Sequence, residues 1–136
     1  MKSPASSGIF DILKYRKGLD AVFFNWIENI PDRKGGIIQM LIYFLLVRYL
    51  KRKGVRLVFT LHNKLSHSKT KLLYKRWIFK DIILMSDLII THSSEGIRYL
   101  SEHFSSSTDK AWFIPHPVDE TMKLIENVIP FKQRPW

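Results

Sequence analysis

The chain has 136 residues, which is the size of one domain with a sizeable core. A hydrophobic content of 46% excludes a disordered chain, and the lack of cysteine excludes disulfides and thiolate chemistry. The net charge of +10 is concentrated in residues 1–80, which hold 17 basic and 4 acidic residues, while residues 81–136 hold 5 and 8. A basic first half favours anionic lipid, a phosphorylated substrate or nucleic acid as partner, and an ordinary solvated surface is the alternative.

Short apolar runs alternate with longer helical patterns along the chain. Residues 1–18 are predicted to be an irregular or short helical lead-in with no opening strand. The predicted elements that follow are a strand over 19–26, a loop over 27–35, a helix over 36–53, a strand over 55–61, a helix over 70–84, a strand over 87–92, a helix from Ser93 or Ser94 to about His103, a loop over 105–109, a strand over 111–114 and a helix at about 119–127.

This order predicts the fold class. Helical connections between short buried strands imply parallel pairing through right-handed crossovers. We therefore expect an α/β fold, with a Rossmann-like parallel sheet of about four strands flanked by helices, over residues 19–118. Residues 119–136 are expected to form a C-terminal helix and tail.

The longest apolar run extends from Ile37 to Val47 and is interrupted by Gln39. A membrane-spanning helix needs about 20 apolar residues, so this run is too short to cross a bilayer. The favoured interpretation is a buried core helix, and the alternative is a helix that also touches a membrane surface. The polar first eight residues, with no apolar stretch after them, predict no signal peptide and a cytoplasmic location.

Polar residues stand where the predicted strands end. In a parallel sheet all carboxyl ends lie on one edge, and ligands of open α/β sheets bind there. We therefore expect a site on that edge, formed by Asn25 and Trp26, His62 and Asn63 with the nearby His67, His92 and Ser93, and His116.

Imidazoles beside helix N-termini suit phosphate groups or sugar hydroxyls, and His62 is the candidate for acid–base chemistry. Two alternatives stay open. Zinc would use His62, His67, His92 and His116, although their spacing is not that of a metal motif. Each histidine alone would otherwise be an ordinary hydrogen-bonded structural residue. No glycine-rich phosphate loop and no Asp-x-Asp pair is present in the sequence, so no cofactor and no metal are predicted.

Four segments together resemble a known family. The segments are Phe23-Phe24-Asn25-Trp26, Thr60-Leu61-His62-Asn63 followed by His67, Ser86 to Ser93, and Phe113 to Asp119. In order and spacing they resemble the N-terminal half of GT-B nucleotide-sugar transferases, in the large retaining family 4 group that builds bacterial polysaccharides. The resemblance extends over about residues 19–120. It departs from the family at Asn25, where a histidine is usual.

The resemblance implies a role for this domain. It would hold a sugar or lipid-linked acceptor, with His62 in the cleft near the reacting sugar and His116 near the passage to a second domain. That second domain would bind the nucleotide-sugar, and no metal would be needed. The first strands and the donor domain of such enzymes have no counterpart in this sequence, so we expect the chain to be inactive alone.

The sequence is also compatible with a function of another class. The chain could instead be a non-catalytic binding or membrane-docking subunit of a split transferase. The basic half and the apolar helix would then bring it to an anionic membrane surface, peripheral to the inner face. A nucleic-acid partner is not expected, because the basic residues fall on helix ends and loops and form no reading motif.

Overall fold

A computed structural model of the chain describes residues 9–62 and 70–115. The helices are α1 (Ile9–Tyr15), α2 (Gly36–Arg52), α3 (Leu72–Met85) and α4 (Ser94–His103). The strands are β1 (Ala21–Asn25), β2 (Arg56–Leu61), β3 (Leu88–Thr91) and β4 (Ala111–Phe113). Two 3₁₀ helices lie at Ile27–Asp32 and Ser105–Lys110. The predicted helix at about 119–127 lies outside the described residues.

The four strands form one parallel sheet in the order β1-β2-β3-β4. Phe24 of β1 pairs with Phe59 of β2, which pairs with Ile89 of β3, which pairs with Ala111 of β4. The prediction of a Rossmann-like α/β fold with four parallel strands is therefore confirmed. The outer boundaries of the predicted domain, at 19 and 118, stay a prediction.

Helices α2, α3 and α4 pack on the same face of the sheet. Strands that follow one another in spatial order, joined by right-handed crossovers, place every connection on one side. The Phe24 ring meets Tyr43 of α2 edge-on at 6.2 Å, and the Phe59 ring meets Phe79 of α3 edge-on at 6.0 Å. Gly96 of α4 lies against the Thr91 side chain. The hydrophobic core therefore lies between this face and the three helices.

The opposite face carries the alternate residues of each strand. Phe23 and Trp112 are exposed there, and Leu88 and Ile90 between them are half-buried. Val58 at its centre is buried but is not part of the main core cluster. Parallel sheets are usually covered on both faces, so this apolar face is a place for further contacts.

Several predicted boundaries differ from the structure. The two 3₁₀ helices occupy most of the predicted loops over 27–35 and 105–109, and the second extends to Lys110. Isolated turns without apolar periodicity give no helical signal in a sequence. The predicted strands are one to three residues too long. Helix α3 begins at Leu72 instead of Thr70, since Lys71 adopts a left-handed backbone with φ of 50° that a helix cannot contain.

Asp87, the acidic residue before β3, braces the amino edge of the sheet. Its carboxylate accepts a hydrogen bond from the Leu57 N–H at 2.8 Å and pairs with the Lys51 ammonium at the end of α2, at 2.5 Å. Burial opposes its ionisation, but Lys51 and the Leu57 N–H prevail, and the pKa of Asp87 is lowered. Asp87 belongs to one of the four segments that resemble the family, but it has a structural role away from the carboxyl edge.

Helix α2 is buried on one side only. Tyr43, Val47 and Leu50 are fully buried in the core, whereas Ile38, Leu41 and Leu45 point outward. The interpretation of this run as a buried core helix therefore holds for its inner side, whereas its outer side is exposed. Of the helices in the described ranges, none is both long and apolar enough to span a membrane.

Candidate functional site

Three aromatic side chains lie side by side at the carboxyl edge of the sheet. Trp26, His62 and His92 directly follow β1, β2 and β3. The Trp26 indole stacks on the His62 imidazole with ring centres 4.7 Å apart and planes 4° from parallel. The His62 and His92 rings follow at 5.6 Å. We call these three side chains the ring row.

The backbone at Trp26 is strained. This residue has φ of 56° and ψ of 30°, a left-handed conformation that is rare for a bulky side chain. Such a conformation costs about 1–3 kcal/mol and persists only where the surroundings impose it. The sharp turn it produces leads from β1 into the first 3₁₀ helix, where the Asn29 N–H donates to the Trp26 carbonyl at 3.1 Å. The turn also leaves the indole lying flat against His62.

His92 is oriented by the end of β4. Its Nδ1 lies 2.7 Å from the carbonyl oxygen of Ile114. A carbonyl can only accept a hydrogen bond, so Nδ1 carries the proton of the neutral ring. The Nε2 atom is then the nitrogen of His92 that can accept a proton or a hydroxyl hydrogen bond.

Ser93 caps helix α4. Its side-chain oxygen accepts a hydrogen bond from the Gly96 N–H at 3.1 Å, which satisfies one of the first amide groups of the helix. Gly96 is required at this position, because a Cβ atom there would overlap the buried Thr91 side chain. The Ser93 hydroxyl therefore has a structural function besides any contact with a substrate.

A cavity of about 220 Å³ opens beside the Trp26 end of the ring row. Ligand pockets are usually ~300–1,000 Å³, so this one suits a single small unit. Its wall combines apolar side chains with polar groups, among them those of Asn25, Trp26 and Arg33. The lining residues are Ile9, Ile12, Phe23, Phe24, Asn25, Trp26, Ile27, Ile30 and Arg33.

The remaining predicted site residues are Asn63, His67 and His116, and they lie outside the described residues. Within residues 9–62 and 70–115, no three histidine, aspartate or glutamate side chains are grouped so that they could hold a metal ion. Two of the four histidines of the zinc alternative belong to the undescribed segments. The binding and catalytic roles of all the predicted residues stay predictions.

Sequence reasoning missed a buried charge cluster between the first 3₁₀ helix and α3. Lys75 is only 1% exposed, and its ammonium pairs with the Asp32 carboxylate at 2.5 Å. The second Asp32 oxygen accepts from the Thr70 hydroxyl at 2.8 Å. The sequence does indicate that Lys75 is buried, because this residue falls on the same helical stripe as the buried Ile78 and Ile82.

Glu28 belongs to the same buried region. Burial raises the pKa of the Glu28 carboxyl, and a backbone hydrogen bond and the Lys75 charge oppose that rise in part. The Lys75–Asp32 ion pair therefore ties α3 to the 3₁₀ helix that follows Trp26.

Comparison with known proteins places the chain in a family. The family model described as Glycosyltransferase Family 4 matches residues 37–121, which is more than half of the 136 residues. His62, His92 and Ser93 fall within the matched region, and Asn25 and Trp26 precede it. No curated protein and no solved structure matches the chain. With its parallel four-stranded sheet and this match, the chain belongs to Glycosyltransferase Family 4 and has a glycosyltransferase-type domain.

Proposed function

We propose that the chain is the acceptor-binding N-terminal part of a retaining bacterial glycosyltransferase, whose nucleotide-sugar donor is held mainly by another domain. The ring row is the observation that carries this proposal. Three flat side chains cross the edge where α/β sheets bind ligands, and a small cavity continues from one end of the row. A sugar offers both an apolar ring face and hydroxyl groups, and this surface complements both.

Trp26 supplies the apolar contact. It borders the cavity together with Asn25, and its exposed indole is held in place by the stack on His62. A rigid indole loses little conformational entropy on binding and can donate a hydrogen bond through its N–H. The strained backbone at Trp26 supports a functional role, since strain of this kind clusters at ligand sites.

His62 is the residue we assign to the chemistry. It lies between Trp26 and His92, half-buried, at the middle of the ring row. An imidazole there can hydrogen-bond the acceptor hydroxyl and take up its proton as the hydroxyl oxygen bonds to the anomeric carbon of the donor sugar. The bond from that carbon to the nucleotide phosphate breaks in the same transfer, and the nucleotide leaves with its electron pair. His92 would accept a hydrogen bond from a second hydroxyl group of the sugar through Nε2. By the resemblance to the family, the proposed substrate-binding residues also include Asn63, His67, Ser93 and His116.

Replacing Trp26 with alanine is expected to weaken sugar binding at least tenfold. The reason is that the variant loses the stacking surface and one wall of the cavity. Saturation-transfer NMR with the full chain and a panel of methyl hexosides, followed by titration of the best ligand, measures this. Trp77→Ala is the matched control, since Trp77 is an exposed tryptophan on α3. Equal losses in the two variants, or no binding by the native chain, would contradict the proposal.

The 136-residue chain is expected to transfer no sugar by itself. In the proposed arrangement the donor is bound by a second domain, so His62 has no activated sugar to act upon. Incubating the chain with radiolabelled nucleotide-hexoses and the acceptor found by NMR tests this expectation. Product above the level of a His62→Ala variant would show that the chain is a complete transferase.

A split transferase is the second candidate function. The apolar sheet face with exposed Phe23 and Trp112 favours it, because a donor-binding chain could cover that face. Coexpression with the product of a neighbouring reading frame that carries a donor-binding domain is the test. Recovery of sugar transfer in a complex that Trp112→Ser disrupts would support the split form, and transfer without a complex would exclude it.

We further infer that the acceptor is lipid-linked and that the protein works at the cytoplasmic face of a membrane. The basic first half of the chain supports this inference, because the inner leaflet is anionic.

A further inference from the structure

We propose that the outward side of α2 and α3 is the surface that docks this protein onto an anionic bilayer. This inference rests on the proposed function, since docking would serve transfer to a lipid-linked acceptor. Membrane binding itself can be measured without any sugar. We call this side the outer helix surface. Its apolar members are Ile38, Leu41, Leu45, Leu73, Trp77 and Leu84.

The exposure of these side chains calls for an explanation. Ile38, Leu41 and Leu45 are 64%, 57% and 73% exposed, and they recur three and four residues apart on one stripe of α2. The outer side of a surface helix normally carries polar residues. Contiguous apolar patches on soluble domains mark contacts with proteins or membranes.

The two helices form one continuous surface. Arg48 of α2 binds the Asp81 carboxylate of α3 through both guanidinium nitrogens, at 2.7 and 3.2 Å. Phe44, Trp77 and Leu84 line a shallow groove of about 360 Å³ above this pair. The groove therefore joins the outward sides of α2 and α3.

The charge of this surface selects a bilayer as the occupant. Three of the six basic residues of α2 and α3 are paired with carboxylates elsewhere, because Lys75 is buried against Asp32, Lys51 pairs with Asp87 and Arg48 pairs with Asp81. Arg52, Arg76 and Lys80 are exposed beside the apolar side chains. Long cationic side chains can reach lipid phosphates while leucines and a tryptophan enter the interface.

The orientation of the helices connects this surface to the ring row. Each helix runs antiparallel to the strands, so the first turns of α2 and α3 lie toward the carboxyl edge of the sheet. Ile38, Leu41, Leu73 and Trp77 all belong to the first half of their helices. Docking here would hold the ring row close to the lipid headgroups, where a lipid-linked sugar is presented.

Flotation of the full chain with vesicles tests the proposal. We expect binding to vesicles of 30% phosphatidylglycerol in phosphatidylcholine, and at least tenfold weaker binding to phosphatidylcholine alone. Leu41→Gln/Leu45→Gln should lower binding to the anionic vesicles by at least tenfold. Arg52→Gln/Lys80→Gln should lower it by roughly 30-fold, since each cation near an anionic surface contributes about one kcal/mol.

Matched variants control for folding and for charge. Trp77→Ser should reduce flotation, whereas Trp112→Ser should not, although Trp112 is the more exposed of the two at 62% against 51%. Arg56→Gln/Arg98→Gln removes the same charge from β2 and α4 and should have little effect. Circular dichroism establishes that each variant is folded.

Three results would overturn the proposal: equal binding to neutral and anionic vesicles, equal loss in the Trp77 and Trp112 variants, or sedimentation showing a dimer that Leu41→Gln/Leu45→Gln dissociates. The last result would assign the surface to a second copy of the chain. Because flotation contains no sugar, these results leave the NMR test of acceptor binding unaffected, and each proposal can fail alone.

Discussion

Replacing Asp32 with alanine is expected to cost about 3–5 kcal/mol of unfolding free energy. The substitution removes the carboxylate partner of the Lys75 ammonium, which is buried between α3 and the first 3₁₀ helix. Removing one member of a buried ion pair is strongly destabilising because a charge is left in a medium of low polarity. Whole domains are stable by only about 5–15 kcal/mol, so the loss should be evident in urea denaturation followed by circular dichroism.

A double-mutant cycle separates this effect from simple loss of contacts. Lys75→Met should cost less than Asp32→Ala, since the partly exposed Asp32 carboxylate keeps the Thr70 hydroxyl and access to water. Asp32→Ala/Lys75→Met should then be more stable than Asp32→Ala alone, because it leaves no buried ammonium. A double variant that is less stable than both single variants would contradict the buried-charge explanation.

Replacing Gly36 with alanine is expected to cost about 3 kcal/mol, the upper end of what overpacking usually costs. A Cβ atom at Gly36 would lie 2.5 Å from the carbonyl oxygens of both Ile30 and Pro31. These are backbone atoms of the first 3₁₀ helix, so they cannot rotate away as a side chain could. The sign of the change in unfolding free energy identifies the overpacking, because alanine in place of glycine ordinarily stabilises a helix by about 0.5–1 kcal/mol.

Gly54→Ala is the comparison for Gly36→Ala. Gly54 has φ of +77°, and within the described ranges no atom beyond its chain neighbours lies within 4 Å of the place that a Cβ atom would take. Its substitution therefore costs only the left-handed backbone, about 1–2 kcal/mol. Thermal unfolding of the two variants compares the cost of overpacking at Gly36 with the cost of the left-handed backbone at Gly54. A Gly36 variant as stable as the native chain would mean that α2 can move away from the 3₁₀ helix, and that the close approach is not required.

The strands and the main helices could be predicted from the sequence because their signals are local. Val55 to Leu61 is a branched and aliphatic run after Gly54, and Ser93 followed by Glu95 marks the start of a helix. The parallel order followed from the helical connections. The alignment of Trp26, His62 and His92 along one edge was also predictable in outline, since each residue directly follows a strand.

The contacts within that edge could not be predicted. The flat stack of Trp26 on His62 depends on a left-handed backbone at a tryptophan, which no propensity favours. The hydrogen bond from His92 to the Ile114 carbonyl depends on the register of β3 against β4. Both contacts join residues far apart in the chain, and their geometry is set by packing.

By itself, the sequence determined the type and order of the elements, the parallel sheet and the family, because these depend on local periodicity and on spaced motifs. Only the tertiary structure decided which side of each element is covered. It buried Lys75 on a helix that otherwise carries exposed cations, and it left Leu41 and Leu45 outside a helix whose sequence is apolar almost all round. The physical reason is that hydrophobicity determines which side chains are stabilised by burial, whereas the position of the neighbouring layer determines which of them are buried.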